Sequence, residues 1–121
     1  MKKILLIEDD PFIIDIYTTK LKEEGFEVDV ATNGEKALEK IKEKPDLILL
    51  DIVLPGMDGW EILREIKKRE ELKSIPVVVL SNLSQKSEVE KSVKLGATKY
   101  LIKANYTPSQ VVEQIKECLK K

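Results

Sequence analysis

The chain reads as a doubly wound α/β fold, a (βα)5 arrangement with five parallel strands and helices on both faces of the sheet. Three observations predict it. Short apolar runs alternate with stretches of helical period along all 121 residues, the pattern of successive βα units. Three of the runs are continuously apolar, as strands covered on both faces are, whereas Glu27-Val28-Asp29-Val30 alternates as an edge strand does. Four runs end in charged or hydroxyl groups, and parallel strands gather such ends along one edge. A strand order of 2-1-3-4-5 satisfies all three.

Each element has its own local justification. The first strand, at about 3–8, carries Ile4-Leu5-Leu6-Ile7 into Glu8-Asp9-Asp10. Asp10 then supplies an N-cap and Pro11 a first-turn proline for a helix at about 11–24. The alternating strand follows at about 26–31 and a second helix at about 34–43. Asp46-Leu47-Ile48-Leu49-Leu50 forms the third strand, at about 46–51, and stops at Asp51. Asp58-Gly59 repeats the capping chemistry for a helix at about 59–69. Val77-Val78-Val79-Leu80, in a strand at about 76–81, stops at Ser81. The helix at about 85–95 has only Val89, Val93 and Leu95 as apolar anchors, which predicts a loosely held element. Tyr100-Leu101-Ile102, at about 99–103, ends at Lys103. The last helix, at about 108–120, is capped by Thr107, opens on Pro108, and puts Val111, Val112, Ile115, Cys118 and Leu119 on one face, so Cys118 is expected in the core. With no linker, repeat or low-complexity segment, residues 1–121 are expected to form one domain.

Composition excludes several functions. With 21 basic against 22 acidic residues there is no electrostatic footprint for nucleic acid. The apolar runs fall far short of the roughly 20 residues that span a bilayer, and Met1-Lys2-Lys3 leads into a strand rather than a signal sequence. A soluble cytoplasmic protein is the expectation. The single cysteine permits no internal disulfide, and the absence of histidine removes the commonest transition-metal ligand. A hard, oxygen-bound metal is what remains.

The strand order also makes a chemical statement. Strands one and three would be neighbours whose connections leave in opposite directions, and such a switch point opens a crevice at the carboxyl edge. Glu8, Asp9 and Asp51 would line it. Crowded carboxylates repel one another unless a cation intervenes. Mg²⁺ suits them, because it accepts a few carboxylates, retains waters and leaves positions for phosphate oxygens. Asp10 and Asp58, as helix caps, stay outside this set.

At Ile4-Leu-Leu-Ile-Glu-Asp-Asp-Pro11, Asp51-Ile-Val-Leu-Pro-Gly-Met-Asp-Gly59, Val79-Leu-Ser81 and Gly96-Ala-Thr-Lys-Tyr-Leu-Ile-Lys103 the chain resembles the response-regulator receiver domains, along its whole length. The resemblance implies a flavodoxin-like fold and a Mg²⁺-dependent phosphorylation switch. It implies Asp51 as phosphoacceptor, Asp9 and Asp51 as direct metal ligands, Glu8 as a ligand through water, and the Val53 backbone carbonyl as the remaining protein ligand. The implied partners are a histidine kinase or histidine phosphotransfer protein and, downstream, a target protein or an effector domain beyond this chain, with no membrane or direct nucleic-acid contact. A signalling surface at helix four, strand five and helix five goes with it, on a domain that assists its own modification without being a metabolic enzyme.

Charge assigns the remaining roles. Lys103 is placed to pair with an aspartyl phosphate, and the Ser81 hydroxyl can donate to a phosphoryl oxygen. By resemblance, Ser81 moves toward the phosphate and Tyr100 turns inward behind it, as a two-state element. Val53 and Leu83, two positions past Asp51 and Ser81, flank the path of attacking water in receiver domains; neither orients a water, which predicts slow loss of the phosphoryl group. Two positions depart from the family pattern. Ala104 follows Lys103 where proline is usual, and a cis bond before a non-proline costs about 3–4 kcal/mol, which favours trans. Asn82 stands where a small residue usually follows the hydroxyl. Two rival readings are a phosphohydrolase with an aspartyl-phosphate intermediate and a phosphate-independent adaptor. Val53 occupies the position where the hydrolase needs its second carboxylate, and the intact acidic set argues against the adaptor.

Overall fold

The computed structural model describes residues 1–54, 56, 58–82 and 85–120. Its five strands, β1 (Lys3–Ile7), β2 (Glu27–Ala31), β3 (Leu47–Leu50), β4 (Val77–Ser81) and β5 (Lys99–Ile102), form one sheet in the order β2-β1-β3-β4-β5. Every pairing is parallel. The helices are α1 (Pro11–Glu23), α2 (Gly34–Lys40), α3 (Gly59–Lys68), α4 (Lys86–Lys94) and α5 (Pro108–Leu119). This is the flavodoxin-like receiver architecture expected from the sequence, with β2 at an edge.

Because side chains alternate across a strand, the continuous apolar runs feed two cores. Leu5, Ile7, Ile48, Leu50, Val77 and Val79 face one side and pack with Ala37 of α2 and Trp60, Ile62, Leu63 and Ile66 of α3. Ile4, Leu6, Leu47, Leu49, Val78 and Leu80 face the other, against Tyr17 and Leu21 of α1 and Val111, Val112 and Ile115 of α5. Cys118 is partly buried against this second cluster, on the side the helical period assigns it.

The caps act as read from the sequence. The Asp10, Asp58 and Thr107 side chains accept from the amides of Phe12, Glu61 and Gln110, and the Gln110 side chain in turn accepts from the Thr107 amide. Gly25, at φ 90°, closes α1: its own amide donates to the Lys22 carbonyl and that of Phe26 to Leu21. Only a residue without Cβ takes that left-handed conformation cheaply.

Several element ends differ from those expected. Helix α2 stops at Lys40 and tightens into a 3-10 turn over Ile41–Glu43, because Lys44 precedes Pro45 and sits at φ 54°. Strand β5 ends at Ile102, opposite Ser81 where β4 itself ends, and Lys103 begins a 3-10 turn. Helix α4 begins at Lys86 without a side-chain cap. Of its expected anchors, Leu95 packs on the first cluster, but Val93 is 68% exposed. Val93 is thus no anchor; Ser92 is the buried residue on that helix. Among the described residues no helix is long and apolar enough to cross a membrane.

Candidate functional site

The ladder positions the acids. The Glu8 amide donates to the Ala31 carbonyl and the Asp51 amide to Ile7, both at 3.0 Å, so each acid is the first residue past its strand. Ile7 is in register with Leu50 on the adjoining strand, which sets Glu8 beside Asp51. Carboxylate oxygens of Glu8, Asp9 and Asp51 lie within 4.8 Å of one another. Glu8 and Asp51 are buried and Asp9 is exposed, so the group is sealed below and open above.

One ammonium answers these acids. Lys103 Nζ donates to Glu8 Oε1 at 3.1 Å and to Asp51 Oδ2 at 3.3 Å. The other Asp51 oxygen, Oδ1, accepts from the Val53 amide at 3.2 Å. Glu8 Oε2 accepts from the amides of Asp9 and Asp10 at 3.1 and 3.2 Å. Burial, then the charge of Asp51, push the Glu8 carboxyl above its ordinary pKa against the opposing pull of the Asp10 amide and Lys103. Burial alone would lower the Lys103 ammonium, but the charges of Asp51 and Glu8 outweigh it and hold it above the ordinary lysine value. Among the described residues, three carboxylates face one lysine, which leaves the crevice short of positive charge.

The donor set therefore fits a hard cation. Every candidate ligand is an oxygen, the oxygens are close enough to share one ion, and exposed Asp9 leaves room for waters or a phosphate on the open side.

Ser81 is fully buried at the end of β4, in register with Ile102 and thus one residue from Lys103. Tyr100 is half-buried against the first core cluster, and its phenol lies within the influence of both the Ser81 hydroxyl and the Asp51 charge; burial raises its pKa. The Val53 side chain is 62% exposed at the mouth, while Asn82 is exposed past Ser81. Leu83 lies outside the described residues. The peptide between Lys103 and Ala104 is trans, like all those described.

Two contributors were missed in the sequence. A Cβ on Gly59 would stand 2.5 Å from Ile52 Cα and 2.7 Å from the Asp51 carbonyl oxygen, and the Gly59 amide donates to Ile52 at 2.8 Å. Glycine thus lets the start of α3 close directly onto the Asp51 backbone. The available signal was a glycine in a helical first turn, where it costs about 1 kcal/mol relative to alanine unless close approach requires it. The second is Tyr17, buried on α1, whose phenol is raised by burial and then by the charge of Glu8. No sequence signal distinguishes it from an ordinary core aromatic.

Comparison with known proteins agrees with this geometry. The family described as the response regulator receiver domain matches residues 4–116. The BeF3-activated N-terminal receiver domain of Klebsiella pneumoniae RstA is 32% identical, with 99% of this chain and 100% of that chain covered at a TM-score of 0.90. A CheY-like response regulator receiver domain protein from Methanospirillum hungatei is 31% identical, with 99% and 94% covered at 0.91. The Mn(2+)-bound form of response regulator Rcp1 is 33% identical, with 96% and 92% covered at 0.86.

Proposed function

The chain belongs to the family of response regulator receiver domains, and from that membership we propose that residues 1–121 act as one phosphorylation-switched domain that accepts a phosphoryl group on Asp51. Receiver domains are the signalling components of two-component systems rather than metabolic enzymes. The observation that carries the reading is the convergence of Glu8, Asp9 and Asp51 around the single ammonium of Lys103.

Residues 1–121 contain no histidine, so a phosphohistidine donor lies outside them, in a histidine kinase or histidine phosphotransfer protein. An Asp51 carboxylate oxygen attacks phosphorus, the P–N bond breaks, and its electron pair returns to the donor imidazole, which takes up a proton. Lys103 exchanges its bond to Asp51 Oδ2 for one to a phosphoryl oxygen, and the Ser81 hydroxyl donates to another. Asp9 and Asp51 directly, Glu8 through water and the Val53 carbonyl would hold Mg²⁺, which supplies positive charge against the transferring group. The Mn²⁺ in the solved relative Rcp1 supports a divalent cation in this family. Tyr100 turning inward behind Ser81 carries the change to α4, β5 and α5, the face offered to a downstream target or effector domain.

The test is Mg²⁺-dependent labelling with acetyl phosphate followed by mass mapping. A phosphoryl adduct on Asp51, lost with EDTA and in Asp51→Asn, is the expected result. Labelling that persists in Asp51→Asn places the acceptor elsewhere.

A further inference from the structure

Helix α4 is seated on the domain by very little. Among its described residues only Ser92 is buried, and the Ser92 hydroxyl donates to the Val89 carbonyl of the same helix at 2.7 Å, which ties it to nothing else. Its ion pair, Lys86 with Glu90, is internal and exposed. Glu88 holds a buried Oε2 with no hydrogen-bond partner among the described residues, an unmet cost that opposes close seating. Leu95 and Ala97 fix the carboxyl end against the first core cluster. Nearer its middle, the helix meets the domain where Lys91 Nζ lies 4.9 Å from the centre of the Trp60 ring.

Trp60 is well placed to matter. It is 6% exposed, and it follows Gly59, which abuts the Asp51 carbonyl. A second path from Asp51 to α4, besides the one through Ser81 and Tyr100, thus runs through the start of α3: the Asp51 backbone, Gly59, the Trp60 ring, the Lys91 ammonium.

We propose that the contact of Lys91 with Trp60 is a latch that holds α4 in its unphosphorylated seat, so that Lys91 sets how readily the domain passes to its phosphorylated form. The inference rests on the reading above, in which α4 belongs to the responding face. It makes Lys91 a positioning residue, remote from the reacting atoms. A cation over an aromatic face with its other side in water shifts an equilibrium by about two- to fivefold, enough to tune a two-state element without locking it.

The experiment titrates the protein with beryllofluoride in Mg²⁺, following ¹⁹F resonances for binding and Trp60 emission for the latch; the chain's single tryptophan makes the signal unambiguous. Lys91→Gln keeps helix propensity and an unbranched polar side chain, one atom shorter, and removes the charge. Lys91→Arg keeps the cation. The expected result is that Lys91→Gln moves the resting emission toward the beryllofluoride-bound value and tightens binding of the mimic about two- to fivefold, while Lys91→Arg behaves as wild type. Unchanged affinity and emission in Lys91→Gln, or weaker binding, overturns the latch. Absence of ¹⁹F-detected binding in wild type overturns the receiver reading itself, and the latch with it.

Discussion

Replacing Asp51 with asparagine should stabilise the metal-free protein, although it removes a hydrogen-bonded ion pair from a buried site. Carboxylates no more than 4.8 Å apart repel by about 3.5 kcal/mol or more per pair at an effective dielectric of about 20. Lys103, at 3.1 and 3.3 Å, attracts Glu8 and Asp51 by about 5 kcal/mol each on the same scale. Asp51→Asn removes two repulsions and one attraction, leaving a gain of about 2 kcal/mol. The amide oxygen can take the place of Oδ1 and accept from the Val53 amide, while Lys103, which loses its bond to Oδ2, keeps its bond to Glu8 at 3.1 Å, so neither buried donor is orphaned. For 121 residues that gain corresponds to a rise in melting temperature of about 5–10 °C. The gain should also depend on pH. Glu8 has a raised pKa, so wild type is relieved while Glu8 is protonated and loses that relief as pH rises from the ordinary 4.5 through the raised value; the advantage of Asp51→Asn grows across that window. Mg²⁺ should stabilise wild type by about 2.7 kcal/mol at one hundred times its dissociation constant and the variant far less. Thermal melts in EDTA and in MgCl₂ supply the assay. A variant that melts at or below wild type in EDTA refutes the charge-crowding argument, and an equal response to Mg²⁺ refutes the ligand assignment.

Other measurements probe other parts of the molecule. Gly59→Ala should destabilise the fold by about 1–3 kcal/mol or more, because its Cβ meets backbone at 2.5 and 2.7 Å rather than a side chain that could yield; urea unfolding matching wild type contradicts the close approach. Asp29, hydrogen-bonded to Lys40 at 2.6 Å, has a lowered pKa, so its contribution is present above the ordinary 3.8 and is lost as pH falls through the lowered value; Asp29→Asn should flatten acid unfolding in that range, and an unaltered profile counts against the pair. Amide exchange should be faster across Lys86–Lys94 than across Pro108–Leu119, since α4 buries Ser92 alone while α5 buries Val111, Val112 and Ile115; equal protection defeats the loose-seating argument. Val53→Asn should speed loss of phosphate from Asp51 after donor removal, because an exposed apolar side chain at the mouth is replaced by one that can orient water; unchanged decay removes Val53 from rate control.

What was legible in the sequence was what periodicity and strand-end chemistry can encode. Leu5, Ile7, Ile48 and Leu50 against Ile4, Leu6, Leu47 and Leu49 are assigned to opposite cores by alternation alone. The acids were legible for the same reason: parallel strands share an edge, so Glu8 and Asp51 had to meet once β1 and β3 were neighbours. Contacts made by a particular helix rotation were not legible. Val93 looks like an anchor by composition yet faces solvent, and Lys91 looks like a solvated surface lysine yet lies over Trp60. A helix with so few apolar residues has a weak preferred face, and packing decides which side turns in. The Gly59 approach depends on how the loop after Asp51 returns over the strand end, a property of backbone path that residue type only hints at.

The same shortage of positive charge links stability to signalling. Lys103 answers Glu8 and Asp51 together, and its raised pKa shows that both hold it. A phosphoryl group on Asp51 adds negative charge beside two other carboxylates, so the site can be satisfied only if Lys103 turns to the new group and further donors arrive. The Ser81 hydroxyl, buried where β4 ends opposite Ile102 of β5, is a side-chain donor on a neighbouring strand. Its movement toward the phosphate would alter the surroundings of Tyr100, which lies under the influence of Ser81, Asp51 and the Glu88 carboxylate of α4. On the proposed function, the charge deficit at the strand edge would be converted into a rearrangement of β5 and α4, the latter burying Ser92 alone among its described residues. A receiver with a second lysine in the crevice would be more stable without metal, and it would have correspondingly less to gain from moving Ser81.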